Sequence, residues 1–355
     1  MSSTIIPKAL RKGDTIAFIS PSARLNHILP AALARGKAAL ESLGFNIKII
    51  YSTLPDSASF SDSIQVRTEE VHSAFRDPSV AAIICTIGGA HCGELLPFLD
   101  YDLIRANPKI FVGYSDTTFL HYAITSRTGL RTFYGPSILT DWSDFPSPMQ
   151  FTVDHFLHVV STSETTPVGP LPRSTTYTLS HADFLLTGDS STTPRDLLPA
   201  PSWRWIQPGS ATGPLYGGVV SCVVRLQGTP YAPKSWKNRI MFLETSMNDD
   251  MQQPYSLERF RSSLMDLALA GVFNDIAGLV VGRGYKYDTK MQDELAELLL
   301  GVFGSMVRRT DLPILMNVDF GHTSPFLTLP IGASARLDSG RDEFVVLEEG
   351  VVVVA

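Results

Sequence analysis

What most constrains the fold of this 355-residue chain is an alternation through residues 1–140, in which short unbroken apolar runs are followed by segments of helical period. Thr15-Ile-Ala-Phe-Ile-Ser20 is apolar at consecutive positions, the pattern of a strand buried on both faces of a parallel sheet. Ala31 to Leu43 has helical spacing and stops at Gly44, a residue suited to the left-handed turn after a helix. Phe45 to Tyr51 reads as the next strand, Arg67 to Phe75 as a helix ending before Asp77-Pro78, and Ala81-Ala-Ile-Ile-Cys-Thr-Ile87 as a further buried strand. Strand and helix in turn imply a parallel sheet covered by helices.

The same alternation brings Lys109-Ile-Phe-Val-Gly-Tyr-Ser-Asp-Thr-Thr-Phe-Leu-His121 to notice, because an apolar strand there runs straight into Ser115 and then into a helix-like segment. A turn of that kind presents a hydroxyl at the mouth of a sheet. Serine is a weak nucleophile at neutral pH until a base takes its proton, so partners are required elsewhere. Glu244 closes the apolar run Arg239-Ile-Met-Phe-Leu-Glu244, and His322 lies in Gly321-His-Thr-Ser-Pro325. All three fall where strands are expected to end, the edge at which α/β sheets carry their active groups. In that arrangement His322 is the base toward Ser115, and Glu244 holds the second imidazole nitrogen. The amide of Asp116, at the start of the helix, and an amide of the pair Gly88-Gly89 are candidate donors to a developing oxyanion.

Each residue also has a plainer reading. Ser115-Asp116 alone makes a helix cap, with Asp116 complementing the helix dipole. A lone His322 is a core histidine, and Glu244 a solvated or paired carboxylate. Gly88-Gly-Ala-His-Cys-Gly93 lacks the Gly-x-Gly-x-x-Gly spacing of a dinucleotide loop and reads as a loop-shaping cluster; His91 and Cys92 lack the further ligands or base that a metal or thiol site needs.

From Ser143 to Gly209 the pattern turns to Ser, Thr and Pro, with His155, His158 and His181 scattered through it and an amphipathic stretch from Phe151 to Val160. Three parts are therefore expected: residues 1–142, a connector over 143–209, and residues 210–355. In the last, Ile240 to Leu243 and Ile276 to Val281 read as strands, Tyr255 to Ala270 and Met291 to Val302 as helices, and Ser334 to Asp338 with Glu343 to Leu347 as a terminal hairpin. The formal charge of -6, with no dense Lys/Arg cluster, argues against a nucleic-acid partner. Three cysteines without metal spacing (Cys85, Cys92, Cys222), no apolar run of about 20 residues and no leader-like start lead to a cytoplasmic expectation and no membrane association.

Taken in order, the segments resemble the LD-carboxypeptidase family of serine peptidases, which includes the microcin C self-immunity hydrolases. The carriers are Gly13-Asp-Thr-Ile-Ala-Phe-Ile-Ser-Pro-Ser22, Gly88-Gly89 with Leu95-Leu-Pro-Phe-Leu-Asp-Tyr-Asp-Leu-Ile104, Pro108-Lys109 and Gly113-Tyr-Ser-Asp116. Thr212-Gly213, Gly217-Gly218, the strand ending in Glu244, and Gly321-His322 with Pro325 and Leu327-Thr-Leu-Pro-Ile-Gly332 complete the match. The resemblance implies Ser115 as nucleophile, His322 as base, Glu244 as its orienting acid, and the amides of Gly89 and Asp116 as oxyanion donors. It also implies an N-terminal Rossmann-like parallel-sheet domain, a C-terminal mixed β/α domain, a site in the cleft between them, a homodimer, and no metal or organic cofactor.

Trp203-Arg-Trp205 looks like the microcin-hydrolase branch, where an indole at Trp205 stacks on a nucleobase; the alternative is a tryptophan that pins the connector. Val219 stands where the family commonly has asparagine, and Asn248 near a lysine of the microcin branch, so Asn248 is a candidate substrate contact. The expected activity is hydrolysis of an amide near the C-terminus of a small peptide or peptidyl-nucleotide through an acyl-enzyme on Ser115. The competing expectations are a murein tetrapeptide LD-carboxypeptidase and a non-catalytic binding protein on the same scaffold.

Overall fold

The structure, a computed structural model, describes residues 4–55, 57–161, 165–182, 184–188 and 192–353. Residues 162–164, 183 and 189–191 of the expected connector lie outside the described residues. Five strands open the chain: β1 (Thr15–Ile19), β2 (Asn46–Ile50), β3 (Val80–Cys85), β4 (Ile110–Gly113) and β5 (Phe133–Tyr134). They are parallel in the order β2-β1-β3-β4-β5. That is one of the two common doubly wound orders, with the direction of winding reversed between β1 and β3. The α/β architecture read from the alternation is thus present, and its logic is visible at β1, where Ile16 to Ile19 are wholly buried between two neighbours. Burying one such aliphatic side chain contributes about 1.5–3 kcal/mol.

The helices differ from expectation mainly at their ends. The segment expected over Arg67 to Phe75 is a longer helix, Phe60–Arg76, because Ser59 and Asp62 form a reciprocal capping box that starts it about two turns earlier. The helix after Ser115, Thr118–Thr128, is buried along Thr118 to Ile124 on every side, since helix Val220–Leu226 packs against its outer face.

A second sheet takes strands from the rest of the chain. These are β6 (Gly169–Pro170), β9 (Arg204–Gln207), β10 (Ser210–Val219), β11 (Ile240–Glu244), β12 (Gly278–Gly282), β13 (Ile314–Val318), β15 (Ser334–Asp338) and β16 (Glu343–Val346); β7 (Thr176–Tyr177) and β8 (Leu198–Pro199) form a separate two-stranded ribbon, and β14 (Leu329–Pro330) returns to the first sheet beside β5. The order is β6-β16-β15-β10-β11-β12-β13-β9, with β10 to β13 parallel and antiparallel strands at both edges. The expected terminal hairpin is β15–β16. Within the stretch expected to lose periodicity, residues Gln150–Val160 form a helix, and β6 and β9 cap opposite edges of the second sheet. One apolar core runs continuously through both sheets. Among the described residues no helix is long and apolar enough to cross a membrane.

Candidate functional site

Ser115 follows β4 by two residues and starts a single tight turn, Ser115–Thr117, that leads into the buried helix. Its φ of 63° is a left-handed conformation that a side chain makes unfavourable, at about 1–3 kcal/mol. Two hydrogen bonds hold it there: the Ser115 amide donates to the Tyr134 hydroxyl at 3.2 Å, and the Thr118 hydroxyl donates to the Ser115 carbonyl at 2.6 Å. The Ser115 side chain caps nothing, so the helix-cap alternative does not describe it. The strained turn instead turns its hydroxyl toward His322.

His322 lies beyond β13 and Glu244 ends β11, so the second sheet supplies both groups. His322 Nε2 is 3.0 Å from Ser115 Oγ, and Nδ1 is 2.8 Å from Glu244 Oε2. An ionised carboxylate only accepts, which assigns the imidazole proton to Nδ1 and leaves Nε2 with a lone pair facing the hydroxyl. Glu244 is fully buried (0% exposed), and its other oxygen, Oε1, accepts from the Tyr134 hydroxyl at 2.5 Å. Both carboxylate oxygens therefore carry a donor, the condition under which a buried charge is tolerated. Tyr114 and His181 each set a ring edge-on to His322, at 5.1 and 5.6 Å between centroids. Burial, with the nearby charges of His322 and Arg195, pushes His181 far below the usual imidazole range. It stays neutral, so it places no second imidazolium beside one formed on His322.

The loops after β1, β3 and β4 meet around Ser115. Asp116 is 2% exposed, and its Oδ2 accepts from Ser22 Oγ at 2.6 Å and from the Cys92 amide at 3.0 Å. Burial raises its carboxyl above the usual range against the pull of these donors. Asp116 thus ties three loops together from inside, beyond the charge complementing the helix dipole that its sequence position suggests. Ser22 Oγ also accepts from the His91 amide at 3.0 Å, and the Ala23 amide donates to the Gly88 carbonyl at 3.1 Å. Glycine is required at 88 for space: a Cβ there would stand 2.6 Å from Ser115 Cβ and 2.9 Å from Oγ. At Gly89 the φ of 153° favours glycine as well. The Asp116 amide opens the turn, where backbone donors have no intrahelical acceptor. The glycine loop and that turn together border the Ser115 hydroxyl.

Ser115, Glu244 and His322 are therefore brought together, with Gly89 and Asp116 on the adjoining loops. Trp205 is tied elsewhere, its indole N–H donating to Asp342 Oδ1 at 2.8 Å on the β15–β16 hairpin. Trp203 similarly donates to Asp319 at 2.6 Å. Asn248 lies half-buried in the loop that follows Glu244, its amide donating to the Gln253 carbonyl at 3.0 Å. No hydrogen bond joins Trp205 or Asn248 to Ser115, Glu244 or His322 among the described residues. Cys85 and Cys92 are buried with thiols pushed far up by desolvation, and Cys222 is pushed up to about 12. None of the three is a ready thiolate. The contacts of Tyr134 and Ser22 with these residues escaped the reading of sequence: nothing in Thr132-Phe-Tyr134 or its spacing points at Glu244, 110 residues away.

A sequence model of the LD-carboxypeptidase N-terminal domain matches residues 16–135, and one of the C-terminal domain matches residues 212–337. The chain is 31% identical over 346 residues to a probable murein peptide carboxypeptidase of Bacillus subtilis, covering 97% of this chain and 95% of that one. It is 29% identical over 361 residues to the microcin C7 self-immunity protein MccF of Escherichia coli, covering 98% and 97%. In three dimensions it is similar to MccF in complex with aspartyl sulfamoyl adenosine, with a TM-score of 0.87, 27% identity, and coverage of 98% and 99% of the two chains.

Proposed function

The chain belongs to the LD-carboxypeptidase family, a family of hydrolases, and from that membership we propose that it cleaves an amide near the C-terminus of a small peptide or peptidyl-nucleotide with Ser115, His322 and Glu244 as its catalytic triad. The observation that carries the reading is the unbroken hydrogen-bond chain from Ser115 Oγ through both nitrogens of His322 to Glu244. As Ser115 Oγ attacks the substrate carbonyl, His322 Nε2 takes its proton and the imidazolium is held by Glu244 Oε2. The negative charge moves to the carbonyl oxygen, which the amides of Gly89 and Asp116 stabilise. Collapse of this intermediate breaks the C–N bond, and His322 returns the proton to the departing amine. Water, deprotonated by His322, then cleaves the ester on Ser115 and restores the hydroxyl.

Two substrate classes follow from the relatives. The complex of MccF with aspartyl sulfamoyl adenosine favours an aminoacyl-nucleotide, and the Bacillus relative favours a murein peptide. Incubating the protein with an aminoacyl sulfamoyl-adenosine and with a murein tetrapeptide separates them by which is cut. Ser115→Ala is expected to keep the fold and lose turnover by several orders of magnitude. Retained hydrolysis by a clean preparation of that variant refutes the triad. The homodimer implied by the family resemblance belongs to the same proposal, and the mass in solution by light scattering decides it.

A further inference from the structure

Ser115, Tyr134, Glu244 and His322 form a closed ring of hydrogen bonds. The Ser115 amide meets the Tyr134 hydroxyl at 3.2 Å, that hydroxyl meets Glu244 Oε1 at 2.5 Å, Glu244 Oε2 meets His322 Nδ1 at 2.8 Å, and His322 Nε2 meets Ser115 Oγ at 3.0 Å. The proton inventory fixes the direction of every bond, along two arms that leave Ser115 and converge on Glu244. An amide can only donate, so the phenol oxygen accepts from Ser115 and must send its single proton to Glu244. Ser115 donates from both its backbone and its side chain, and Glu244 accepts on both oxygens.

Tyr134 also stands where the two sheets meet. Its backbone pairs with Gly113 of β4, two residues before Ser115, and with Leu329 of β14. Its ring lies 5.4 Å from that of Phe242 on β11, two residues before Glu244, and 5.9 Å from that of His121 on the helix after Ser115. One side chain therefore spans from the strand behind Ser115 to the strand that ends in the carboxylate.

Resting on the triad reading, we propose that Tyr134 is a positioning residue that holds the strained Ser115 backbone and the Glu244 carboxylate in one frame and sets the basicity of His322. The hydroxyl takes a share of the carboxylate's charge that would otherwise act on the imidazole alone. Without it, His322 is the only donor left to Glu244, and the imidazolium becomes easier to form. The Ser115 amide loses its acceptor, and of the two bonds that hold φ in the left-handed region only that from the Thr118 hydroxyl remains. Burial and the Glu244 charge push the phenol far above its usual range, so the proton that Glu244 receives stays on Tyr134 oxygen at every working pH.

Inactivation by a fluorophosphonate probe, which reports the Ser115 hydroxyl without any choice of substrate, tests this when followed across acid and neutral pH. Tyr134→Phe keeps every ring contact and removes only the hydroxyl. Labelling about ten- to a hundredfold slower is expected, from loss of a hydrogen bond to a charged group, with the acid-limb midpoint moved up by about half to one pH unit. A midpoint identical to wild type overturns the inference, whatever the rate does, because a hydroxyl that only supports the fold would leave it in place. Should Tyr134→Phe unfold, 3,5-difluorotyrosine at 134 keeps the size and donates more strongly; its midpoint is expected to move down, and no movement is again refutation. Ser115→Ala run in parallel separates the two readings. Undiminished labelling of that variant sinks the triad itself, whereas abolished labelling beside an unshifted Tyr134→Phe midpoint sinks only the role of Tyr134.

Discussion

Gly88→Ala is the smallest change that the geometry predicts to be severe. The backbone at 88 is outside the left-handed region, so alanine is permitted there by its own φ, and the whole effect is one of space. The added Cβ would stand 2.6 Å from Ser115 Cβ, where carbon atoms prefer about 3.5–4.0 Å. A displacement of about 1 Å must be found. If Ser115 yields, its 3.0 Å hydrogen bond to His322 opens to about 4 Å and ceases to be one. If the glycine loop yields, the Gly89 amide moves by the same amount, against the stitch from the Ala23 amide to the Gly88 carbonyl. A misplacement of that size costs about a hundredfold in rate, and overpacking about 1–3 kcal/mol in stability. The assay is kcat/KM on whichever of the two substrate classes is cleaved, with thermal unfolding alongside to show that the fold persists. Gly93→Ala is the control: its Cβ would meet the Phe119 ring at 3.6 Å, ordinary contact, and activity within about twofold of wild type is expected. A folded Gly88→Ala enzyme within about threefold of wild type would refute the packing of the glycine loop against Ser115.

Two further outcomes concern stability. Burial holds His121 at about 4, against 6.5 when unfolded, so above 6.5 both states are neutral; as pH falls, the unfolded chain takes a proton that the folded chain refuses until about 4. Stability from this group is complete above pH 6.5 and is lost on the way down to about 4, roughly 3 kcal/mol in all. His121→Gln, which can still donate to the Gly113 carbonyl, should flatten the dependence of urea unfolding on pH across that window, and an unchanged slope counts against the assignment. Arg195 holds Asp144 through two hydrogen bonds, at 3.0 and 2.5 Å, and reaches Ser324, two residues past His322, at 3.1 Å. Arg195→Ala leaves Asp144 buried without its cation and should lose about 3–5 kcal/mol in denaturant titration; a loss under about 1 kcal/mol would show that the pair is not what binds this segment to the His322 loop.

Most of the first sheet was legible in the chain itself, as were the three residues that the structure brings within hydrogen-bonding distance of one another, and the reason is local. Strands buried on both faces must be apolar at consecutive positions, as Ile16 to Ile19 are, and helices between them must show a 3.6-residue period. Ser115, Glu244 and His322 were legible because hydroxyl, carboxylate and imidazole each stand where an apolar run ends or a glycine-bounded loop begins. The connector was less so, since β6 and β9 are short edge strands whose partners, not their own patterns, define them.

Tertiary structure alone decided the rest. The partner of the Ser115 hydroxyl, the inward turn of Asp116 and the hydroxyl of Tyr134 each depend on groups far away in sequence: 94 residues separate Ser22 from Asp116, 110 separate Tyr134 from Glu244, and 207 separate Ser115 from His322. Periodicity reports which face of an element avoids water. A hydrogen bond between loops of two sheets depends instead on how those sheets pack, which no window of neighbouring residues contains.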